Sequence, residues 1–243
     1  MQELNDYDRI VSQIELYEAR KRDRMNILVG CEESQQVLKA LRKQGFNAYS
    51  CDLYPSSGGL PQYHFNDCIF KAINNKGGLT ESGQIITVES WDVLIVFPPC
   101  TFLSTAGNRW FSVDPSRKEK RDQALQFVVN LWHCGIDRIC LENPQGYLSS
   151  MWRKPSQTIC PSQFGHTQRK RTCLWLKNLP MLKPTLIVHD ASNAWLYQAF
   201  FENKGNIEEV RKLRSKTFRG IACAMASQFF SSPYQKELMF IDT

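Results

Sequence analysis

Cys100 follows the run Asp92-Val93-Leu94-Ile95-Val96-Phe97-Pro98-Pro99, a setting that suits a nucleophilic thiol. A continuous apolar run of this length reads as a parallel strand buried on both faces. Two prolines end it, because proline cannot donate to a ladder and holds its own φ. The next side chain is then fixed at the carboxyl end of a strand, where open α/β sheets bind ligands. A structural cysteine would more often lie inside the run. Residues 136–141 read as another strand, which ends Glu142-Asn143-Pro144 and repeats the device with a carboxylate. Two such strand ends converge, and a thiol beside a carboxyl can add to an electrophilic carbon while the acid handles the proton.

Two further acids sit where a nucleoside would need them. Asp52 closes the strand-like stretch 47–51, about 20 residues beyond the loop after Val29, the place where α/β nucleotide sites bind ribose hydroxyls. It could equally cap a turn. The loop itself, Gly30-Cys31-Glu32-Glu33-Ser34, lacks the Gly-x-Gly-x-x-Gly of a dinucleotide site. Asp67, after Phe65-Asn66, can accept from an exocyclic amine such as that of adenine, or cap the segment after it.

These side chains require a framework of alternating strands and helices. Tyr7, Ile10, Val11, Ile14 and Tyr17 recur at helical spacing through residues 1–24, with basic residues late, which predicts an amphipathic helix docked on a sheet. Residues 26–30 read as strand, 37–45 as helix and 47–51 as strand; 56–59 and 74–83 read as surface loops. Residues 101–108 have the composition of a lid, and Pro115 opens a helix carrying Leu125, Val128, Val129 and Trp132. Residues 172–176 read as strand, and 221–226 as a small-faced helix packed on the sheet. The expected organisation is a helix over 1–24 and one α/β domain over 25–243, with a short basic insertion around 178–216.

The 243 residues, 42% hydrophobic and 22% charged, suit a globular protein with a full core. No apolar run approaches the roughly 20 residues that span a bilayer. The polar start resembles no secretion signal, so an intracellular, cytoplasmic protein is expected. Nine scattered cysteines and four histidines without ligand spacing favour neither disulfides nor metal. The net charge of +6 is unevenly spread. Residues 153–183 hold seven Lys or Arg (Arg153, Lys154, Arg169, Lys170, Arg171, Lys177, Lys183) and no acid; Arg211, Lys212, Arg214, Lys216 and Arg219 lie downstream. A polyanion such as nucleic acid is the partner this predicts.

Taken in order, Val29-Gly30-Cys31-Glu32, Phe97-Pro98-Pro99-Cys100, Glu142-Asn143-Pro144, Gln168-Arg169-Lys170-Arg171 and Gly220-Ile221-Ala222 resemble the motifs of the DNA cytosine-5 methyltransferases, most closely the small bacteriophage-type members. The resemblance spans residues 26–230. It implies a Rossmann-like methyltransferase fold, a mostly parallel twisted sheet with helices on both faces. It implies Cys100 as the thiolate that adds to cytosine C6, Glu142 on N3 and the exocyclic amine, and Arg169 and Arg171 on the base O2 and phosphates. S-adenosylmethionine is the implied cofactor, with Gly30, Cys31 and Glu32 in its loop, Asp52 and Leu53 at the ribose, Asp67 at the adenine and Pro98 beside it. DNA is the implied partner, its target base flipped out of the stack, with Thr101, Ser104, Asn108, Arg109, Lys170 and Lys177 contacting it.

The chain departs from the large enzymes of that family at four points. Its first loop has no Phe-x-Gly-x-Gly, which admits a modified S-adenosylmethionine and transfer of a substituted methyl such as carboxymethyl. Pro144 stands where Val is usual, and the Gln-Arg-Lys-Arg run is compressed. Only about 38 residues separate Asn178 from Lys216, so the target-recognition domain is reduced or absent. An amino-methyltransferase would carry an aromatic in place of Cys100. RNA cytosine methylation and a catalytically silent DNA-binding protein are the other readings weighed.

Overall fold

A computed structural model describes residues 6–194, 198, 201–202 and 206–230. Its strands in chain order are β1 (Asn26–Gly30), β2 (Asn47–Asp52), β3 (His64–Asn66), β4 (Gly77–Leu79), β5 (Ile85–Thr87), β6 (Val93–Val96), β7 (Arg138–Pro144), β8 (Gln157–Ile159) and β9 (Thr172–Lys177). Seven of them form the central sheet, in the order β3-β2-β1-β6-β7-β9-β8, and β4 pairs with β5 apart from it. The first five in that order are parallel and β9 runs antiparallel to both neighbours, so the protein is α/β with a mostly parallel mixed sheet. The chain builds outward from β1 through β2 to β3, then returns to place β6 on the other side of β1. That reversal opens a crevice at the carboxyl ends of β1 and β6.

The strands alternate between two cores. Leu28, Leu94, Val96, Ile139 and Leu141 face Val128, Leu131 and Trp132 of the helix Ser116–Trp132 and Ile69 of the helix Ile69–Asn74. Ile27, Val29, Val93, Ile95 and Cys140 face Val37, Leu38 and Leu41 of the helix Gln36–Lys43, and Ile221, Ala222 and Met225 of the helix Arg219–Gln228. Each fully buried aliphatic side chain contributes roughly 1.5–3 kcal/mol, so the two-sided burial of β1 and β6 fixes the middle of the sheet. Gly220 lets the last helix approach closely, because a Cβ there would collide with the Phe164 carbonyl oxygen.

Two elements differ from the sequence expectation. The first helix spans Asp6–Asp23, but none of its described side chains is buried; Val11 and Ile14 are half-buried, and Leu16 and Tyr17 are exposed. Its last turns share a cleft with Met25, Asp92 and Arg138 at the amino-terminal end of the sheet. Within residues 74–83, expected to be loop, Gly77–Leu79 pairs with Ile85–Thr87 as the β4–β5 hairpin. Glycine disfavours strand, yet Gly77 has φ 139° and a backbone with no room for a side chain against Ile86. Close backbone approach, and not propensity, makes this hairpin. The expected insertion at 178–216 falls partly outside the described residues.

Candidate active site

The reactive edge is made by the ends of β6 and β7. Val96 pairs with Leu141, so Phe97-Pro98-Pro99-Cys100 and Glu142 leave adjacent parallel strands on the same side. Asn143, fully buried, donates from Nδ2 to the Pro98 carbonyl at 2.8 Å and ties the two ends together. The Cys100 carbonyl accepts from the amides of Leu103 (3.0 Å) and Ser104 (2.9 Å), a tight turn. Tyr147 N then donates to Leu103 O at 2.8 Å, and Ser104 bridges Gly146, where a Cβ would strike the Leu103 carbonyl. The expected lid is therefore docked on the loop that comes after Glu142.

Arg121 holds that loop and escaped the sequence reading. Its Nε donates to Phe102 O at 2.9 Å and its Nη2 to Asn108 Oδ1 at 2.6 Å. Its guanidinium lies over the rings of Phe111 (3.5 Å) and Tyr147 (4.5 Å). A cation–π pair with charge-assisted bonds at both ends organises the 3-10 turn Thr105–Trp110. Asn108 is thus engaged by the protein, while Thr101 is exposed and Ser104 half-buried. The side chain of Arg109 lies outside the described residues.

Electrostatics links three groups at this edge. Burial pushes the Cys100 thiol above its ordinary range and the Glu142 carboxylate adds to the shift, while Lys170 and Arg214 oppose it. Cys100 is open to solvent as a residue, but the protein crowds its sulfur enough to penalise the thiolate. Burial likewise raises Glu142, against Lys170 and a hydrogen bond from the Thr172 hydroxyl. Lys170 Nζ donates to Arg214 O at 2.7 Å, which anchors the ammonium to the end of the helix Ile207–Ser215.

Lys170 is thus the side chain of the Gln168-Arg169-Lys170-Arg171 run whose charge acts on both Cys100 and Glu142, while Arg169 and Arg171 are exposed. Side chains entering β9 alternate: Gln168 and Lys170 are half-buried and Thr172 is buried, while 169 and 171 point away. Lys177 is not at the site. It pairs with Ile139 near the start of β7 and donates to Ile136 O at 3.0 Å, at the opposite end of the sheet. The basic run 153–183 is not one face, because an antiparallel strand carries its charges from one sheet edge to the other. Arg153, for example, lies over Trp132 at 4.9 Å.

On the β1 side, the Gly30 position is bare for packing. A Cβ there would press Ile69 Cδ1 at 2.7 Å and Val96 Cγ2 at 3.0 Å. Cys31 turns the chain with φ 56°. Glu32 is buried, and its carboxylate accepts from Val37 N (2.6 Å) and Leu38 N (3.2 Å), filling the amino end of the helix Gln36–Lys43. That helix end would otherwise hold a phosphate. Glu32 is thus a cap, not a group free to line a ligand. Asp52 Oδ1 accepts from Tyr54 N at 3.0 Å, and burial raises its carboxyl. Leu53 beside it is 73% exposed, a bare apolar surface at the crevice. Asp67 accepts from Cys68 N at 2.7 Å and pairs with Lys71 at 3.0 Å, bonds that hold its pKa down. Pro98 is buried.

Among the described residues four buried side-chain oxygens have no hydrogen-bond partner: Glu33 Oε1, whose charge acts on Asp52, together with Asn143 Oδ1, Ser149 Oγ and Gln168 Oε1. Buried acceptors left open suit a ligand rich in N–H and O–H groups. Glu32 fills the position a phosphate would take at that helix end, and the Glu33 carboxylate is close enough to Asp52 to push its carboxyl up further. Among the described residues no group of His, Cys, Asp and Glu is arranged to hold a metal, and no helix is long and apolar enough to cross a membrane. No protein-family model matches this chain, and no curated protein matches it in sequence.

Proposed function

We propose that the protein is a DNA (cytosine-5) methyltransferase of Rossmann-like fold that uses S-adenosylmethionine or a modified form of it. The observation that carries the reading is the meeting of the Cys100 thiol, the Glu142 carboxyl and the Lys170 ammonium at adjacent strand ends, beside a crevice closed to phosphate. The cofactor supplies an electrophilic methyl carbon; Cys31, Asp52, Leu53, Asp67 and Pro98 would hold it.

The residues divide the work on cytosine, whose C5 is a poor nucleophile. Cys100 thiolate adds to C6, forming a C–S bond and moving electron density to C5 and N3. Glu142, whose carboxyl burial raises above its ordinary range, donates its proton to N3 as charge arrives there. Lys170 offsets the negative charge that Cys100 and Glu142 would otherwise share. C5 would take the methyl group with the donor leaving as a neutral thioether; water then accepts the C5 proton, the C–S bond to Cys100 breaks to release the thiolate, and the N3 proton returns to Glu142, which restores the aromatic ring and the free enzyme.

Mass spectrometry of nucleosides from DNA of cells expressing the protein tests the reading. The expected product is 5-methyldeoxycytidine, absent when Cys100→Ala is expressed. A heavier C5 substituent would identify a modified donor, and unmodified cytosine with wild-type protein would overturn the proposal.

A further inference from the structure

The opposite end of the sheet carries a second charged feature. An open cleft of about 410 Å³ is lined by Tyr17, Arg20, Lys21, Arg24, Met25, Asp92 and Arg138. It lies where β1, β6 and β7 begin, so the length of the sheet, roughly 3.3 Å per residue, separates it from Cys100. Four of the seven lining residues are cations and one is an acid. Asp92 Oδ2 accepts from Asn26 N at 2.8 Å, so part of its charge is already used. None of the ion pairs among the described residues involves Arg20, Lys21, Arg24 or Arg138.

The helix macrodipole explains cations in the last turn of Asp6–Asp23. It does not explain Arg138, which comes from β7, donates to Asp92 O at 3.3 Å and lines the same cleft. Arg20 and Arg24 stand one helical turn apart, about 6 Å along the axis. That is nearly two nucleotides of rise at about 3.4 Å each, so their spacing suits phosphates two nucleotides apart on one strand.

We propose that this cleft is a second nucleic-acid site, which grips the phosphodiester backbone without reading bases. The proposal goes beyond the reaction at the carboxyl edge and does not depend on it. The cleft lies at the opposite end of the sheet from Cys100, so it would hold a segment other than the one carrying the target base.

The test measures binding of a 30-base-pair duplex against salt, with no turnover required. The variant Arg20→Gln/Lys21→Gln/Arg24→Gln removes three exposed charges; Lys39→Gln/Lys43→Gln/Lys118→Gln removes three exposed charges elsewhere. The cleft variant should lower the slope of log K against log salt by about 2 to 3, at about 0.9 per phosphate, and weaken binding by about ten-fold or more near 0.1 M salt. The control should stay close to wild type. Equal losses in both variants would reduce the effect to net charge and overturn the proposal. So would an unchanged slope, or loss of binding to phosphatidylserine vesicles with the duplex unaffected, which would make the cleft a membrane contact.

Discussion

Asn143 Nδ2 donates to Pro98 O at 2.8 Å across 45 positions of sequence, and this one bond fixes the strand end that leads to Cys100 against the one that carries Glu142. Asn143 has 0% exposure, so neither partner can turn to water. Asn143→Ala should destabilise the protein by roughly 1–3 kcal/mol, the cost of a buried acceptor left unpaired. Urea unfolding measures that loss. Under the proposed function, transfer activity should fall further than the folded fraction does, because Cys100 and Glu142 lose their common anchor; an activity loss that merely tracks unfolding would reduce Asn143 to a packing role.

Removing Lys170 takes away the positive charge that holds both the thiol and the carboxyl below where burial alone would put them. In Lys170→Ala the pKa of Cys100 rises further above its ordinary value, so its alkylation by iodoacetamide, measured on the Cys100 peptide, shifts to higher pH. Arg171→Ala, which changes an exposed side chain, should leave that profile in place. Superimposed profiles for Lys170→Ala and wild type would contradict the placement of Lys170.

Asp52→Asn keeps an oxygen for the Tyr54 amide but removes the charge that would accept from a ribose. Calorimetry with S-adenosylmethionine should show binding weaker by roughly 1–3 kcal/mol, with unfolding nearly unchanged. Equal affinity would leave Asp52 as a turn cap alone.

Glu32 links stability to pH. Burial pushes its carboxyl up to about 8 in the folded protein, from an ordinary 4.5. A raised folded-state pKa means that folding takes up a proton, so the contribution is complete below about pH 4.5 and is lost as pH rises through 8. Unfolding free energy measured across that window should fall with pH, and Glu32→Gln should flatten the slope. An unchanged slope in the variant would place the titration elsewhere.

How much of this was legible beforehand varies along the chain for physical reasons. The run from Val93 to Cys100 was readable because a strand buried on both faces has no polar position, and proline can only end it. Glu142 was readable by the same logic, as were the helices around Val37 and Val128, whose apolar spacing has one periodicity. Asp52 was legible both as a strand-end acid and as a turn cap, and the structure supplies the partner, Tyr54 N. In the stretch 168–172, by contrast, side chains alternate, and a shift of one residue exchanges Arg169 and Arg171 for Lys170. Only the pairing of Thr172 with Pro144 decides which set faces Glu142. Nor could local sequence show that Glu32 caps a helix, that Arg121 clamps the loop after Cys100 from 19 positions away, or that Lys177 ends at the far edge of the sheet. The sequence by itself determined which side chains stand at strand ends, because burial and proline act locally. Which of them meet was decided by strand order and register, which depend on contacts between residues far apart in the chain.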